Sequence, residues 1–364
     1  DLVRSRGLGD VYKRQNIVHV VGTGTIGEPL IGLLAGLRGD LGIDEVTFSK
    51  RTPLLIDRSK VASLIRRGAS LCVEKEKIKD FKSLGLDPDY EYEEAISRAS
   101  VVIDCTPAGL ENKDLYYRRF EGRVRCFVAQ GSEFGFGKMY AMGINDEALT
   151  SDDRYVQVVS CNTHNIAVVV KTLAIDGQNA KLAEGKFLCL RRANDVSQEG
   201  GFVASPEVDS HSDPRFGTHH ARDVYWLYRT IGHELNLFSS SVKLNTQYMH
   251  AIWFDLHLTE DVDIDEIKEL FRSNPRVAVT YKGLASLVFS FGRDQGYYGR
   301  ILNQTVVVLP SLAVRNGSEV IGFCFTPQDG NSLLSSIAVI EYALHPDSWE
   351  EKMRKLEPYL FSEV

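Results

Sequence analysis

The chain has 364 residues, 43% hydrophobic and 25% charged, with a formal net charge of −7. That composition fits a globular protein of about two domains and excludes a disordered, collagen-like or coiled-coil chain. The acidic balance argues against nucleic acid as a partner, and no apolar run approaches the roughly 18 residues that a membrane helix needs. Six cysteines are scattered at positions 72, 105, 126, 161, 189 and 324 with no C-x-x-C pair. They form neither a disulfide framework nor a structural zinc site, so the reading is a reduced, cytoplasmic protein.

Residues 1–15 are polar, Arg-rich and aperiodic, and are read as a leader that is non-native or disordered. From Asn16 the run Ile17–Val18–His19–Val20–Val21 reads as a buried strand. Gly22–Thr23–Gly24–Thr25–Ile26–Gly27 follows, and Pro29 to Leu37 reads as an apolar helix. Strand, glycine loop and helix form the context of a dinucleotide fingerprint. Gly22 permits the turn, Gly24 lets the backbone approach a pyrophosphate, and Gly27 lets helix and strand pack closely, while Thr25 and Ile26 complete the loop. The second strand, Glu45 to Ser49, ends in Lys50 and Arg51 where an NAD-selective site carries an acid. Cations there suit a 2′-phosphate, so NADP is the favoured cofactor, with NAD as the other candidate.

Val101 to Asp104 and Cys126 to Gln130 read as further buried strands. Helices are expected within Asp87–Ala99 and Asn112–Phe120. The alternation implies a Rossmann-type doubly wound parallel sheet, with Thr106, Pro107 and Gly131 at its ligand-facing edge. Val156 to Ser160 reads as its last strand, followed by Cys161 and a helix over Ile166–Leu173. A cysteine at a helix N-terminus is placed for nucleophilic chemistry, because the helix dipole favours the thiolate.

Beyond Cys161, strand-like runs occupy Leu182–Val203, Leu237–Thr259 and Arg276–Phe291, then Val306–Leu309 and Glu319–Phe325. Helices are expected over Val262–Ser273 and Ser332–Leu344. The fold class is α/β: an NAD(P)-binding domain over residues 16–160 and an α+β catalytic domain with a mainly antiparallel sheet over 161–326. Residues 327–364 are expected to return to the first domain. His211, His219 and His220 lie near Asp209, Asp213 and Asp223, but their spacing matches no compact zinc motif, so no metal is assigned. A substrate or subunit loop is the reading for that stretch.

Ser160–Cys161–Asn162–Thr163 resembles the active-site segment of the archaeal-type (type II) glyceraldehyde-3-phosphate dehydrogenases. Six other segments resemble that family in order: Gly22 to Gly27, Asp104 to Gly109, Gln130 to Glu133, Leu190 to Ala193, Thr218 to Val224, and Val242 to His250. The resemblance implies phosphorylating oxidation of D-glyceraldehyde 3-phosphate in glycolysis or gluconeogenesis by a homotetramer. It implies Cys161 as nucleophile through a hemithioacetal and thioester, His250 as general base, and Asn162 with helix N–H groups around the oxyanion. Thr163, Arg191, Arg192, His219 and His220 are implied around the substrate and inorganic phosphate. The sequence departs from the family pattern at His164–Asn165, so His164 is a candidate substrate contact or a modifier of Cys161. Three alternatives stay open: a related phosphorylated-aldehyde or semialdehyde dehydrogenase, a non-catalytic NADP-binding relative, and a metal hydrolase built on the histidine-rich stretch.

Overall fold

The computed structural model describes residues 15–196, 200 and 202–364. Apart from Gln15, the leader assigned to residues 1–15 lies outside the described residues. Two eight-stranded sheets organise the rest. In the first, every pairing is parallel, and the four central strands are Glu45–Ser49, Ile17–Val21, Val101–Asp104 and Cys126–Gln130. These strands are β-branched and buried on both faces, as a sheet covered by helices requires. The Gly27–Leu41 helix lays Leu30, Leu33, Leu34 and Leu37 against Val18, Val20 and Phe48. Gly42, at φ 68°, closes that helix in a left-handed turn.

The second sheet is mixed and mostly antiparallel. Leu182–Arg191 pairs with Leu237–Lys243 in parallel and with His250–Leu258 antiparallel, and Glu319–Thr326 follows. The Cys161–Ala174 helix covers its inner face, where Ile166, Val169 and Val170 share a core with Phe187, Ile252, Phe254 and Leu256. The Leu333–Leu344 helix packs into the core of the first sheet through Leu333, Ile337 and Ile340. The chain then recrosses: the Val279 amide donates to the Ser362 carbonyl, and Val364 donates to the Val279 carbonyl. No described helix is long and apolar enough to cross a membrane.

Several elements differ from expectation. Of the strand-like stretch Arg276–Phe291, only Val277–Thr280 is a strand, and Ala285–Gln295 is a helix. Its apolar residues Ala285, Val288 and Phe289 recur at spacings of three and four with Gly292, the helical period. The stretch read as a loop around His219 and His220 is the first turn of a helix, His219–Arg229. The helix expected over Asn112–Phe120 starts earlier, at Gly109, and ends at Leu115 before a short 3-10 turn. Ser70–Val73, Tyr90–Glu91 and Lys138–Tyr140 add strands that were not expected; each is four residues or fewer, too short to show a period.

Candidate functional site

Beyond the carboxyl ends of the parallel strands lies a cleft of about 790 Å³. All ten residues assigned to the cofactor except Gly27 line it: Gly22, Gly24, Thr25, Ile26, Lys50, Arg51, Thr106, Pro107 and Gly131. Gly27 acts from beneath, where a Cβ would lie 2.1 Å from the Gly22 carbonyl oxygen. Only glycine permits that crossing. At Gly24 a Cβ would meet no protein atom within 4 Å, so the missing side chain leaves room for a ligand rather than for packing. This cradle fits a dinucleotide pyrophosphate at the start of the Gly27–Leu41 helix.

The opposite wall is pinned by Asp104, which is fully buried. It accepts from the Thr106 amide at 2.8 Å, the Thr106 hydroxyl at 2.6 Å, Asn112 Nδ2 at 2.7 Å and the Tyr117 hydroxyl at 2.6 Å. Lys50 does not stand alone at the far end. Its Nζ is 2.7 Å from Asp57, and Lys60 reaches the same carboxylate at 3.0 Å. The two ammonium groups hold the Asp57 carboxyl below its ordinary range. Lys60 and Asp57 escaped the sequence reading because they come from the Arg58–Arg66 helix and the short turn before it, after the strand-end signature.

Cys161 opens its helix, and Ser160 caps it by accepting from the Thr163 amide. Thr163 is buried, with its hydroxyl 2.8 Å from that of Ser160. It shapes the cap. Burial pushes the Cys161 thiol up to about 11, against a favourable pull from Arg192. A helix N-terminus contributes about 0.3–1 kcal/mol, less than the ~1.4 kcal/mol that each unit of burial shift represents. The other five thiols are pushed higher still.

Arg192 is the hub of this region. Its guanidinium is buried and donates to the Tyr248 carbonyl at 2.9 Å, Asp195 at 2.7 Å and Asp329 at 3.2 Å. Tyr248 (φ 77°) and Asp329 (φ 66°) both sit in the left-handed region, a strained conformation kept where the surroundings over-determine it. With three acceptors, Arg192 holds the site's own carboxylates rather than standing as an open phosphate clamp. Arg191 is half-exposed and paired to Asp209 at 2.8 Å.

The Arg192 amide donates to His250 Nδ1 at 2.9 Å. A neutral ring accepting there carries its proton on Nε2, so His250 meets the site as a donor. A general-base role would require it to release that amide. Burial, with Arg192 and Arg191 nearby, holds His250 well below its ordinary range, and therefore neutral. Asn162 Nδ2 is 3.1 Å from His220 Nε2, and its oxygen accepts from Thr326 at 3.3 Å. Its amide is thus tied into the core, which leaves the helix N–H groups as the better oxyanion donors. His220 is buried and stacks on the half-buried His219 at 4.0 Å.

His164 does not line the cleft. It is fully buried, with Nδ1 3.0 Å from the Ser160 carbonyl and Nε2 2.8 Å from the Ser335 hydroxyl. It ties the Cys161 helix to the Leu333–Leu344 helix, and burial lowers it to about 4. The histidine-rich stretch also disperses: His211 bonds Ser240. Among the described residues, the group with ligand atoms close enough to share a metal ion is Asp255, His257 and Glu319, where Arg315 and Asn316 already meet Glu319.

Sequence reasoning missed Asp195 and Asp329. The signals were available: Asp195 follows the paired arginines by three residues, and Asp329 lies in Phe325–Asn331, which the family's C-terminal pattern matches loosely.

No protein-family model matches the chain. It is similar to proteins named glyceraldehyde-3-phosphate dehydrogenase from Metallosphaera sedula, 29% identical over 316 residues, and Pyrobaculum arsenaticum, 27% over 310 residues; each alignment covers 83% of this chain and 85% of the relative. The relative from Sulfolobus acidocaldarius is 24% identical over 345 residues, 93% of this chain and 94% of its own length. The chain is thus similar, over most of its length, to proteins of that name from several archaea. The segments that resemble those dehydrogenases lie far apart in sequence, and the fold gathers them around Cys161 and the dinucleotide cleft.

Proposed function

We propose that this chain is a phosphorylating glyceraldehyde-3-phosphate dehydrogenase that uses NADP or NAD. One observation carries the reading: the chain combines a glycine-cradled dinucleotide cleft with a cysteine at a helix N-terminus, and Asp195 lines that cleft while holding Arg192, whose charge acts on Cys161. A bound nicotinamide dinucleotide supplies the hydride acceptor. Gly24 and Gly27 shape its pyrophosphate site, Thr106 and Pro107 wall the cleft, and Lys50, Lys60 and Arg51 favour a 2′-phosphate.

In this reading the Cys161 thiolate attacks the aldehyde carbon, and the carbonyl π electrons move to oxygen. The alkoxide is met by helix N–H groups and by the Nε2–H of His250, which fits the tautomer set by the Arg192 amide. Hydride leaves the same carbon and a thioester remains on Cys161. Inorganic phosphate then attacks the thioester carbon, expelling the Cys161 thiolate and giving the acyl phosphate. Arg191 and His219, at the half-exposed rim, are the residues assigned to substrate phosphate groups, Arg191 after release from Asp209. His164 lies outside this machinery, so the departure at that position does not argue for another aldehyde. The homotetramer of the family is part of the same proposal.

The test follows absorbance at 340 nm with D-glyceraldehyde 3-phosphate, comparing NADP with NAD and phosphate present with phosphate absent. Phosphate-dependent reduction, lost in Cys161→Ser, is the expected result. Reduction without any phosphate requirement would replace this reading with that of a hydrolytic aldehyde dehydrogenase.

A further inference from the structure

On the second sheet, Asp255 and His257 stand two residues apart on the His250–Leu258 strand, so strand periodicity sends both side chains to one face. His257 lies directly opposite Glu319 on the antiparallel Glu319–Thr326 strand, and Asp255 is diagonal to Glu319. Opposed Cβ atoms in such a pair are about 4.5–5.5 Å apart, close enough for side chains to converge. Here three do: one ligand atom from each of Asp255, His257 and Glu319 lies within 4.8 Å of the others. Asp255 and Glu319 are buried, at 9% and 8% exposed. Asp255 Oδ1 is buried, accepts no hydrogen bond, and sits 3.4 Å from His257 Nε2. A buried carboxylate oxygen without a partner is costly. A tetrahedral zinc ion with nitrogen and oxygen ligands at about 2.0–2.2 Å holds neighbouring ligand atoms about 3.4 Å apart, the spacing of this pair.

We propose that Asp255, His257 and Glu319 form a site for a zinc-like divalent cation, which staples the His250–Leu258 strand to the Glu319–Thr326 strand. The neighbouring charges leave it open. Lys186, opposite Asp255 in register, turns to Glu184 at 2.6 Å. Arg315 and Asn316 meet Glu319 at 3.3 and 3.0 Å, one on each oxygen, and a carboxylate with about four lone-pair sites keeps room for a cation as well. Both donors come from the turn leading into this strand, where Asn316 (φ 51°) and Gly317 (φ 82°) are left-handed, and they fix the orientation of the carboxylate. One imidazole and two carboxylates suit zinc better than magnesium, which prefers oxygen ligands alone. The His257 side chain is 40% exposed, so the cation enters from that side and water completes its coordination. From here the two strands run on to His250 and Thr326, roughly 24 Å away at the strand rise of about 3.4 Å per residue. The cation therefore acts on the fold, as a cross-link at the end of the strands remote from His250, and takes no part in chemistry at Cys161.

The test uses the full chain carrying Cys161→Ser, so that zinc on that thiol is not counted, stripped with a chelator and titrated with Zn²⁺ by calorimetry. One Zn²⁺ per chain should bind with a Kd on the order of micromolar or tighter, and Tm should rise by about 4 °C at a hundredfold excess over Kd. His257→Ala, a change at a partly exposed side chain, should weaken binding by at least about tenfold and remove the rise in Tm. Asp255→Asn, which keeps the shape and loses the charge, should do the same. Mg²⁺ at the same concentration should leave Tm in place. Absence of zinc binding would reduce the cluster to an Asp255–His257 ion pair and overturn the proposal. Equally tight binding in both variants would overturn it by placing the zinc on other side chains, and a larger response to Mg²⁺ than to Zn²⁺ would overturn the assignment of a zinc-like cation.

Discussion

The dinucleotide cleft and the surroundings of Cys161 are built on opposite principles. The cleft is made by backbone and by missing side chains: a positive φ at Gly22, open space at Gly24 and a crossing at Gly27 that admits no Cβ. The Cys161 region is made by buried side chains, each satisfying another: Arg192 with Asp195 and Asp329, His250 with the Arg192 amide, Asn162 with His220 and Thr326. A surface of the first kind tolerates change wherever nothing is packed. In one of the second kind a single loss propagates, because a buried partner is left without its hydrogen bond.

That contrast can be broken or sharpened by measurement. The largest effect belongs to the proposed nucleophile: Cys161→Ser should lower turnover by at least about a thousandfold while NADP binding measured by calorimetry persists. Loss of both together would mean that the two regions are not separable. The glycines come next. Gly27→Ala forces a Cβ to 2.1 Å from the Gly22 oxygen and should cost several kcal/mol in chemical unfolding, on the order of 3. Gly24→Ala should leave unfolding within about 0.5 kcal/mol and raise the KM for cofactor instead. Equal destabilisation by both would show that Gly24 is a packing residue.

His164 gives a pH-dependent effect of about 3 kcal/mol at most. Its folded value lies near 4, below the unfolded 6.5, so the unfolded chain binds its proton first as the pH falls. The associated stability is complete above about pH 6.5 and is lost progressively down to about pH 4. His164→Asn should flatten that part of the stability curve in urea titrations at several pH values. A curve as steep as the wild type would place the acid sensitivity in other buried histidines such as His19. The smallest effect is expected at the cleft end. Lys60→Ala should reduce the NADP-to-NAD preference in kcat/KM by about tenfold or less, and Asp57→Asn should raise it a few-fold. An unchanged ratio in both would remove this pair from cofactor selection.

The two regions were not equally legible in the sequence. Gly22 to Gly27 announces itself because its glycines are contiguous and follow a β-branched strand, so a local pattern encodes a local structure. The strand boundaries Glu45–Ser49 and Cys126–Gln130 were legible for the same reason. Cys161 could be found from its place between strand and helix. Asp195, three residues after Arg192, was within reach of the sequence, but Asp329 and Tyr248 reach Arg192 from two distant segments, and only the fold brings them together. The tautomer of His250 depends on a single main-chain amide and has no sequence signature. His164 was misleading because it lies three residues from Cys161, a spacing that places two side chains on one broad face of a helix, whereas its ring bonds Ser335, 171 residues away.

The return of the last residues to the second sheet has a mechanical consequence. The chain passes between the two sheets three times: at Val158 to Cys161, at Thr326 to Leu333, and again where Asn303 holds both the amide and the carbonyl of Phe361 before Val364 docks on Val279. A molecule joined by one linker can swing in many directions; three crossings must bend together, so any relative rotation of the two sheets is confined to an axis that all three share.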